Sequence, residues 1–239
     1  MPARGKIILA LDFPDTKYAL DIVERFRNHV GMFKVGLELF VSAGPSIIEE
    51  INKRDLKVFL DLKFHDISNT VSRAAIAATR YGVYMFNIHA SGGREMMKRC
   101  SEAVAETCLK ENMRRPKMLG VTVLTGISHE ALKNELFIGH SLRTHVKHLA
   151  KLAMQAGLDG IVAAGHEVRM IRDHFGKDFI IVTPGIRASW SPPDDQKRTM
   201  TPREALHEGA DYIVLGRTVF SQPEPLKALE LISAEILTA

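Results

Sequence analysis

The segment DLKFHDI, residues 61–67, carries two carboxylates and one ammonium group close together in the sequence. It continues the apolar run LKVFL, which predicts a buried strand. Alternate side chains of a strand share a face, so Asp61 and Lys63 should lie together, roughly 7 Å apart along the strand. Asp66 follows where the strand ends, and we expect both carboxylates to crowd around Lys63. Because such a cluster is costly to desolvate, it indicates a lysine held charged and oriented to deliver a proton.

The alternative interpretation is an ordinary salt-bridge cluster at a strand end, which the apolar flanking run disfavours. Lys34, in FKVG, could be a lysine whose ammonium group reaches solvent. Next to Asp61 it would instead extend a Lys-Asp-Lys-Asp chain. Asp12, in LALD, could cap the turn that follows, bind a ribose hydroxyl or join the charged network.

A second group of residues suits a phosphate. Gly216 and Arg217 end the apolar run DYIVLGR and offer backbone N–H groups and a guanidinium. Arg187, in TPGIR, would supply a second guanidinium, and two arginines can grip one dianion. An ordinary tight turn with a solvated arginine is the alternative.

The sequence supports neither a metal nor an organic cofactor. Three histidines without an acidic partner are better explained as a solvated helix face: His140, His145 and His148. Three glycines lack the spacing of a dinucleotide-binding loop: Gly157, Gly160 and Gly165. His65 and His89 are expected to be hydrogen-bonded structural residues near the charged cluster.

Eight short apolar runs alternate with helix-like segments along the chain, which predicts a parallel sheet covered by helices. The predicted strands are 6–12, 31–36, 56–63, 83–90, 117–124, 159–165, 178–185 and 211–217. Closed on itself, this sheet is a single-domain α/β (β/α)8 TIM barrel over residues 1–239, with its site at the carboxyl ends of the strands. The loop 188–200 after the seventh strand is expected to be a mobile lid.

The composition is that of an ordinary globular protein, with 239 residues and a formal net charge of +4. Basic and acidic residues are mixed, so we expect no nucleic-acid partner, whereas a small phosphorylated anion fits the mild positive charge. Cys100 and Cys108 are too far apart to form a disulfide. The first apolar run stops at Asp12 and is too short for a membrane segment. We therefore expect a cytoplasmic protein that does not bind membranes.

Read in order, the motifs LALD, FKVG, DLKFHDISNTV, TVLT, TPGIR and LGR resemble those of the orotidine 5'-monophosphate decarboxylases of the bacterial type. The resemblance covers essentially the whole chain, and DLKFHDI is its most specific part. It implies decarboxylation of orotidine 5'-monophosphate to uridine 5'-monophosphate (UMP), the last step of de novo pyrimidine biosynthesis. It also implies no cofactor and a homodimer with shared active sites. AAGHE departs from the Cys-Ser pair of many relatives, in a turn without a catalytic group.

Carried onto this chain, the resemblance makes Lys63 the acid that protonates C6 of the pyrimidine as carbon dioxide leaves. Asp61 would lie near the departing carboxylate, paired with Lys34. Asp66 would complete the charge chain of the neighbouring subunit. The residues implied to reach that neighbouring site are Asp66, Ile67 and Thr70.

The resemblance also implies the contacts to the rest of the substrate. Asp12 would bind the ribose hydroxyls, Thr125 would contact the pyrimidine, and Pro184 would help line its pocket. The residues implied to hold the phosphate are Arg187, Gln196 from the closed lid, Gly216 and Arg217.

Two other functions stay open at this point. The chain also resembles 3-keto-gulonate 6-phosphate decarboxylase, a metal-dependent barrel with a similar D-x-K-x-x-D strand. An acidic residue is expected there in place of Lys34, so Lys34 and the lid glutamine Gln196 favour the nucleotide decarboxylase. The third possibility is a nucleotide-binding barrel without catalysis, which the intact set of charged residues disfavours.

Overall fold

The protein folds into a closed barrel of parallel strands that neighbour one another in chain order, β1 to β8. The structure is a computed structural model that describes residues 3–190 and 200–237. The strands are β1 (Ile7–Ala10), β2 (Met32–Gly36), β3 (Val58–Phe64), β4 (Met85–His89), β5 (Lys117–Val121), β6 (Gly160–Val162), β7 (Ile180–Thr183) and β8 (Tyr212–Leu215). The predicted (β/α)8 barrel is confirmed.

Helices follow the strands and cover the outside of the barrel. Those in the described residues are α1 (Thr16–Phe26), α2 (Leu37–Ala43), α3 (Ser46–Asn52), α4 (Ser68–Arg80), α5 (Gly93–Lys110), α6 (His129–Asn134), α7 (Leu142–Gln155), α8 (Val168–Phe175), α9 (Pro202–His207), α10 (Arg217–Phe220) and α11 (Pro225–Leu237). Short 3-10 turns span Ala3–Lys6, Ala90–Gly92 and Gly165–Glu167. Among the described helices, none combines the length and the hydropathy needed to cross a bilayer.

Local sequence signals explain where several helices begin. Asp15 accepts a hydrogen bond from the backbone N–H of Tyr18 at the start of α1, at 2.7 Å. Thr201 and Glu204 form a reciprocal capping box at the start of α9, with Pro202 in the first turn. These caps satisfy backbone N–H groups that have no partner inside the helix, and they fix where each loop from the barrel mouth ends.

The barrel interior is filled by a layer of apolar side chains, with seven strands each contributing one. These residues are Ile8, Met32, Phe59, Met85, Leu119, Val182 and Tyr212. Because strand side chains alternate, the residue two positions later on each strand faces the same interior, one layer nearer the carboxyl end. That next layer consists of Ala10, Lys34, Asp61, Asn87, Val121, Pro184 and Val214. The polar residues of this second layer therefore lie directly on the apolar layer, on its side toward the barrel mouth.

Six of the eight strands end earlier than predicted at the mouth of the barrel, whereas β2 ends at residue 36 as predicted and β3 ends one residue later, at Phe64. The first ends at Ala10 rather than at residue 12, the fifth at Val121 rather than 124, and the eighth at Leu215 rather than 217. The apolar sequence runs continue past the ends of these strands because the first residues of the loops that leave the barrel are also packed against the protein. Arg217 is consequently the first residue of α10 and not the last residue of a strand.

Candidate active site

Four charged side chains from the first three β-α units form one continuous network. The Lys34 ammonium lies 2.8 Å from Asp12 Oδ1 and 3.4 Å from Asp61 Oδ2. The Lys63 ammonium lies 2.7 Å from the other oxygen, Asp61 Oδ1. The structure thus brings together Asp12, Lys34, Asp61 and Lys63, with the Asp61 carboxylate bridging two ammonium groups.

Burial makes this network electrostatically strong. Only 7% of Lys34 is exposed, and its burial by itself would lower the pKa of the ammonium. Asp61 and Asp12 outweigh that effect and raise the pKa of Lys34 above its usual value. Burial likewise opposes charge on Asp61, but Lys34 and Lys63 hold the pKa of this carboxyl below its usual value. Lys34 and Asp61 are therefore both charged at neutral pH.

Lys63 has an unusual backbone conformation at the end of β3. Its φ of 52° lies in the left-handed region, which is costly for a residue with a Cβ atom. The pairing of β3 with β4 shifts here, since Leu60 is opposite Phe86 but Phe64 is opposite Ile88. This bulge aims the Lys63 side chain back toward Asp61.

Asn87 is a member of the site that the sequence reasoning missed. It is fully buried on β4, and its side-chain oxygen accepts a hydrogen bond from the Lys63 backbone N–H at 2.8 Å. Its side-chain nitrogen donates to Asp61 Oδ1 at 2.7 Å. The available signal was an amide in the middle of the apolar run VYMFNIHA, where a buried polar group needs a partner.

Asp66 does not join the cluster within its own chain, which corrects the prediction that two carboxylates crowd around Lys63. Asp66 is exposed, and its carboxylate accepts a hydrogen bond from the Ile67 backbone N–H at 2.6 Å. Among the described residues, Asp66 forms no ion pair with Lys63. The strand ends at Phe64, so an argument from strand alternation does not apply to Asp66. Ile67, 72% exposed, and Thr70, also exposed, likewise face away from the cluster.

A polar cavity of about 390 Å³ opens at the barrel mouth above the charged network. Asp12, Lys34, Asp61 and Lys63 line one side of it. Further lining comes from the loops after β7 and β8, with Pro184, Arg187, Gly216 and Arg217. Arg187 donates from Nη1 to Thr218 Oγ1 at 2.8 Å, which orients its guanidinium beside the start of α10. This half of the cavity offers two guanidinium groups to an anion.

An apolar cavity of about 190 Å³ adjoins the first. Its lining includes Val121, Val162 and Ala164 together with Thr125. Both cavities share the side chains of Lys34, Asp61, Lys63, Pro184 and Val214. The charged network therefore lies where a polar compartment meets an apolar one. Gln196, the remaining predicted site residue, lies outside the described residues.

The two histidines predicted to be hydrogen-bonded differ in their surroundings. The rings of His65 and His89 lie 5.1 Å apart beside the cluster. In the part of the chain that the structure describes, His89 Nδ1 is buried without a hydrogen-bond partner, so the prediction is wrong for that atom. Burial, reinforced by His65 and Lys63, lowers the pKa of His89 and favours its neutral form. Across residues 3–190 and 200–237, no three His, Cys, Asp or Glu side chains are grouped so as to hold a metal ion.

Comparisons with known proteins show the family of this chain. The family model described as orotidine 5'-phosphate decarboxylase / HUMPS matches residues 5–232. Two proteins named orotidine 5'-phosphate decarboxylase are similar over nearly their whole length. That of Moorella thermoacetica is 48% identical, covering 99% of this chain and 94% of the relative. That of Trichlorobacter lovleyi is 49% identical, covering 98% and 96%. The solved orotidine 5'-phosphate decarboxylase of Lactobacillus acidophilus has a TM-score of 0.84 at 35% identity, covering 96% and 98%. The chain therefore belongs to the orotidine 5'-phosphate decarboxylase / HUMPS family.

Proposed function

We propose that this protein decarboxylates orotidine 5'-monophosphate to UMP and carbon dioxide, the last step of de novo pyrimidine biosynthesis. The observation that carries the proposal is the Asp12-Lys34-Asp61-Lys63 network at the junction of a polar and an apolar cavity. A nucleotide has the same division, with a charged phosphate and ribose joined to a planar base. The names of the similar proteins point to the same reaction.

In the proposed complex the phosphate occupies the side of the polar cavity formed by Arg187, Gly216 and Arg217. Two guanidinium groups and backbone N–H groups suit a dianion. The Asp12 carboxylate, with 56% of its side chain exposed, is available to accept hydrogen bonds from ribose hydroxyls. Gln196 is the remaining residue that we propose contacts the phosphate.

The base would enter the apolar cavity, with Thr125 as its polar contact and Pro184 against the ring. The phosphate would lie at Arg187 and Arg217 in the polar cavity, and the base would lie in the apolar cavity. Lys63 lines both cavities, and in this orientation C6 of the base would lie nearest to it. An open-chain sugar phosphate has no apolar group to occupy this cavity. The cavity therefore favours orotidine 5'-monophosphate over 3-keto-gulonate 6-phosphate.

The chemistry requires a cation beside C6. As the bond between C6 and the carboxylate breaks, its electron pair stays on C6 and carbon dioxide leaves. The Lys63 ammonium stabilises that developing charge because it is already in place, held by Asp61 at 2.7 Å. Lys63 then gives a proton from Nζ to C6, which produces UMP, and recovers a proton from solvent.

We propose that the active sites are shared within a homodimer. The segment from Asp66 to Thr70, which includes the first turn of α4, lines neither cavity, and exposed apolar side chains occur on it and on α2. Leu37 is 57% exposed and Val41 80%, both on α2, while Ile67 is 72% exposed. Exposed apolar side chains of this kind suit contact with a second copy, into whose site Asp66 and Thr70 would reach.

Mixing two inactive variants tests the shared site. Lys63→Ala and Asp66→Ala homodimers should each lose activity, whereas a mixed dimer has one site with both residues intact. After subunit exchange in a 1:1 mixture, about one quarter of wild-type activity should return, because half the dimers are mixed and each has one good site. Mass spectrometry of intact dimers would verify exchange. Verified mixed dimers without recovered activity would contradict the shared site.

A cytoplasmic location is part of the proposal. Cys100 and Cys108 are free and buried, and burial raises the pKa of the Cys100 thiol to about 12. Inert reduced thiols are typical of a reducing compartment.

The experiment that tests the function is a direct assay. The purified protein is incubated with orotidine 5'-monophosphate in excess EDTA while the orotate absorbance band is followed, and the product is identified chromatographically. Conversion to UMP at an enzymatic rate is expected. Turnover of 3-keto-gulonate 6-phosphate restored by added divalent metal would support the sugar-phosphate decarboxylase instead. UMP binding without any turnover would favour the non-catalytic nucleotide-binding barrel.

A further inference from the structure

Asn87 is an uncharged side chain of the inner layer that connects Asp61 with the backbone of Lys63. It is fully buried, whereas a side-chain amide usually remains near solvent. Its two hydrogen bonds go to the Lys63 backbone N–H at 2.8 Å and to Asp61 Oδ1 at 2.7 Å. Both ends of the amide are therefore committed to the cluster.

The side-chain amide of Asn87 satisfies both partners. The Lys63 N–H needs an acceptor, and the Asp61 carboxylate needs a donor. A carboxylate in place of Asn87 would still accept from Lys63 but would meet Asp61 with a like charge. A leucine of similar size would leave both partners unsatisfied in a buried location.

The bulge in β3 explains why Lys63 needs this partner. Between Leu60 and Phe64, four residue steps of β3 oppose only two steps of β4, from Phe86 to Ile88. Asn87 is the residue in the middle of that interval. Its side chain provides the acceptor for the Lys63 N–H at the point where Lys63 adopts its left-handed φ of 52°.

We propose that Asn87 is a positioning residue that fixes the backbone of Lys63 and the Asp61 carboxylate in register with each other. It would contact neither the substrate nor the leaving group. Its effect is to hold the Lys63 ammonium beside the position that C6 of the base would occupy. The catalytic part of this inference rests on the proposed function.

Two variants separate the two halves of the amide. Asn87→Ala removes both hydrogen bonds, and Asn87→Asp keeps the acceptor for Lys63 while losing the donor to Asp61. For Asn87→Ala we expect kcat to fall about 10- to 100-fold, since small displacements of a catalytic group are costly. The dissociation constant for UMP should stay within about threefold of wild type, because the phosphate and ribose contacts are intact.

The pH profile gives a readout that a purely structural role would not change. The charged groups facing Asp61 are Lys34 from β2 and Lys63 from β3, with His89 nearby on β4. Asn87 helps lower the pKa of Asp61, so its loss should raise that pKa. The carboxylate is then protonated at higher pH, and the acid limb of kcat should move upward in both variants, furthest in Asn87→Asp.

Thr79→Val is the matched control. Thr79 lies on α4 away from the cavities and is also buried, with 3% of its surface exposed. The substitution removes a single hydrogen bond, which the Thr79 hydroxyl donates to the Ala75 carbonyl oxygen. It should cost stability while leaving kcat and the acid limb unchanged. If the Asn87 variants behave like Thr79→Val, with a lower melting temperature but wild-type kcat and pH profile, the positioning role is refuted. If Asn87→Ala does not fold, kcat and the pH profile of the isosteric Asn87→Asp variant test the positioning role instead.

One further measurement is independent of turnover. Hydrogen exchange of the Lys63 backbone amide, followed by NMR, should accelerate in Asn87→Ala and not in Thr79→Val. Wild-type protein that does not decarboxylate orotidine 5'-monophosphate would refute the proposed function but leave this test intact. Unchanged protection of the Lys63 amide in Asn87→Ala would refute the positioning itself.

Discussion

Lys63→Ala is expected to lose nearly all decarboxylation while still binding UMP. The variant removes the proton donor, worth about 10²–10⁴ in rate, and the preorganised charge beside C6, worth about 10²–10³. We therefore expect kcat to fall by at least about 10⁴-fold. Alanine has the same backbone penalty as lysine at φ 52°, so the loss reports on the side chain. The measurement is single-turnover conversion together with calorimetric binding of UMP.

Lys57→Ala is the matched control for this variant. Lys57 immediately precedes β3 at the opposite end of the barrel, where its ammonium lies 4.5 Å from the centre of the Tyr84 ring. The substitution removes the same charge and should leave kcat unchanged. Lys63→Ala with kcat within tenfold of wild type would show that another group protonates C6.

Arg217→Ala is expected to lower kcat/KM strongly, with the loss appearing in binding of phosphorylated ligands. Removing one side of a charge-assisted phosphate contact costs about 2–4 kcal/mol, or roughly 30- to 1,000-fold. The fold-loss in UMP affinity should greatly exceed any loss in affinity for uridine, which lacks the phosphate. Competition binding with both ligands measures this difference.

Lys177→Ala controls for the change in net charge. Lys177 is exposed and lies before β7, at the end of the barrel away from the cavities. Its loss should leave kcat/KM unchanged at moderate salt. Equal losses of UMP and uridine affinity in Arg217→Ala would contradict a phosphate contact and indicate a general disturbance of the site.

The fold was accessible from the sequence because each buried strand is a nearly continuous apolar run flanked by polar helical segments. The residues at which the strands end could not be predicted in the same way. Residues such as Asp12 and Thr125 extend an apolar run in the sequence, but the strands themselves end earlier, at Ala10 and Val121. A strand ends where the neighbouring strand no longer offers backbone hydrogen-bond partners. The apolar run of one strand contains no information about where its neighbour ends.

Within the site, the alternation argument predicted Lys63 beside Asp61, as observed, although the bulge and the left-handed φ at Lys63, not a regular strand, bring the two groups together. It failed for Asp66, which follows the end of the strand and binds the Ile67 N–H instead. The left-handed turn at Lys63 also has no sequence signature, because lysine rarely adopts this conformation. Tertiary contacts with Asn87 hold it, and those contacts join segments that are distant in the chain.

Asn87 itself could have been found by the reasoning that found Lys34. Both lie two residues after an interior apolar side chain, Met85 and Met32 respectively. A charged lysine draws attention in an apolar run, whereas a neutral amide does not. The free-energy costs of burying the two groups differ less than their charges suggest, because burying an amide without partners also costs several kcal/mol.

The central claim is that this site replaces the C6 carboxylate of orotidine 5'-monophosphate with a proton from an exchangeable group of the protein. The most direct test is to run the reaction in D₂O with EDTA and examine the products by mass spectrometry and NMR. We predict one carbon dioxide for each UMP formed, and UMP carrying one deuterium at C6. Unchanged orotidine 5'-monophosphate, or UMP without deuterium at C6, would contradict the account.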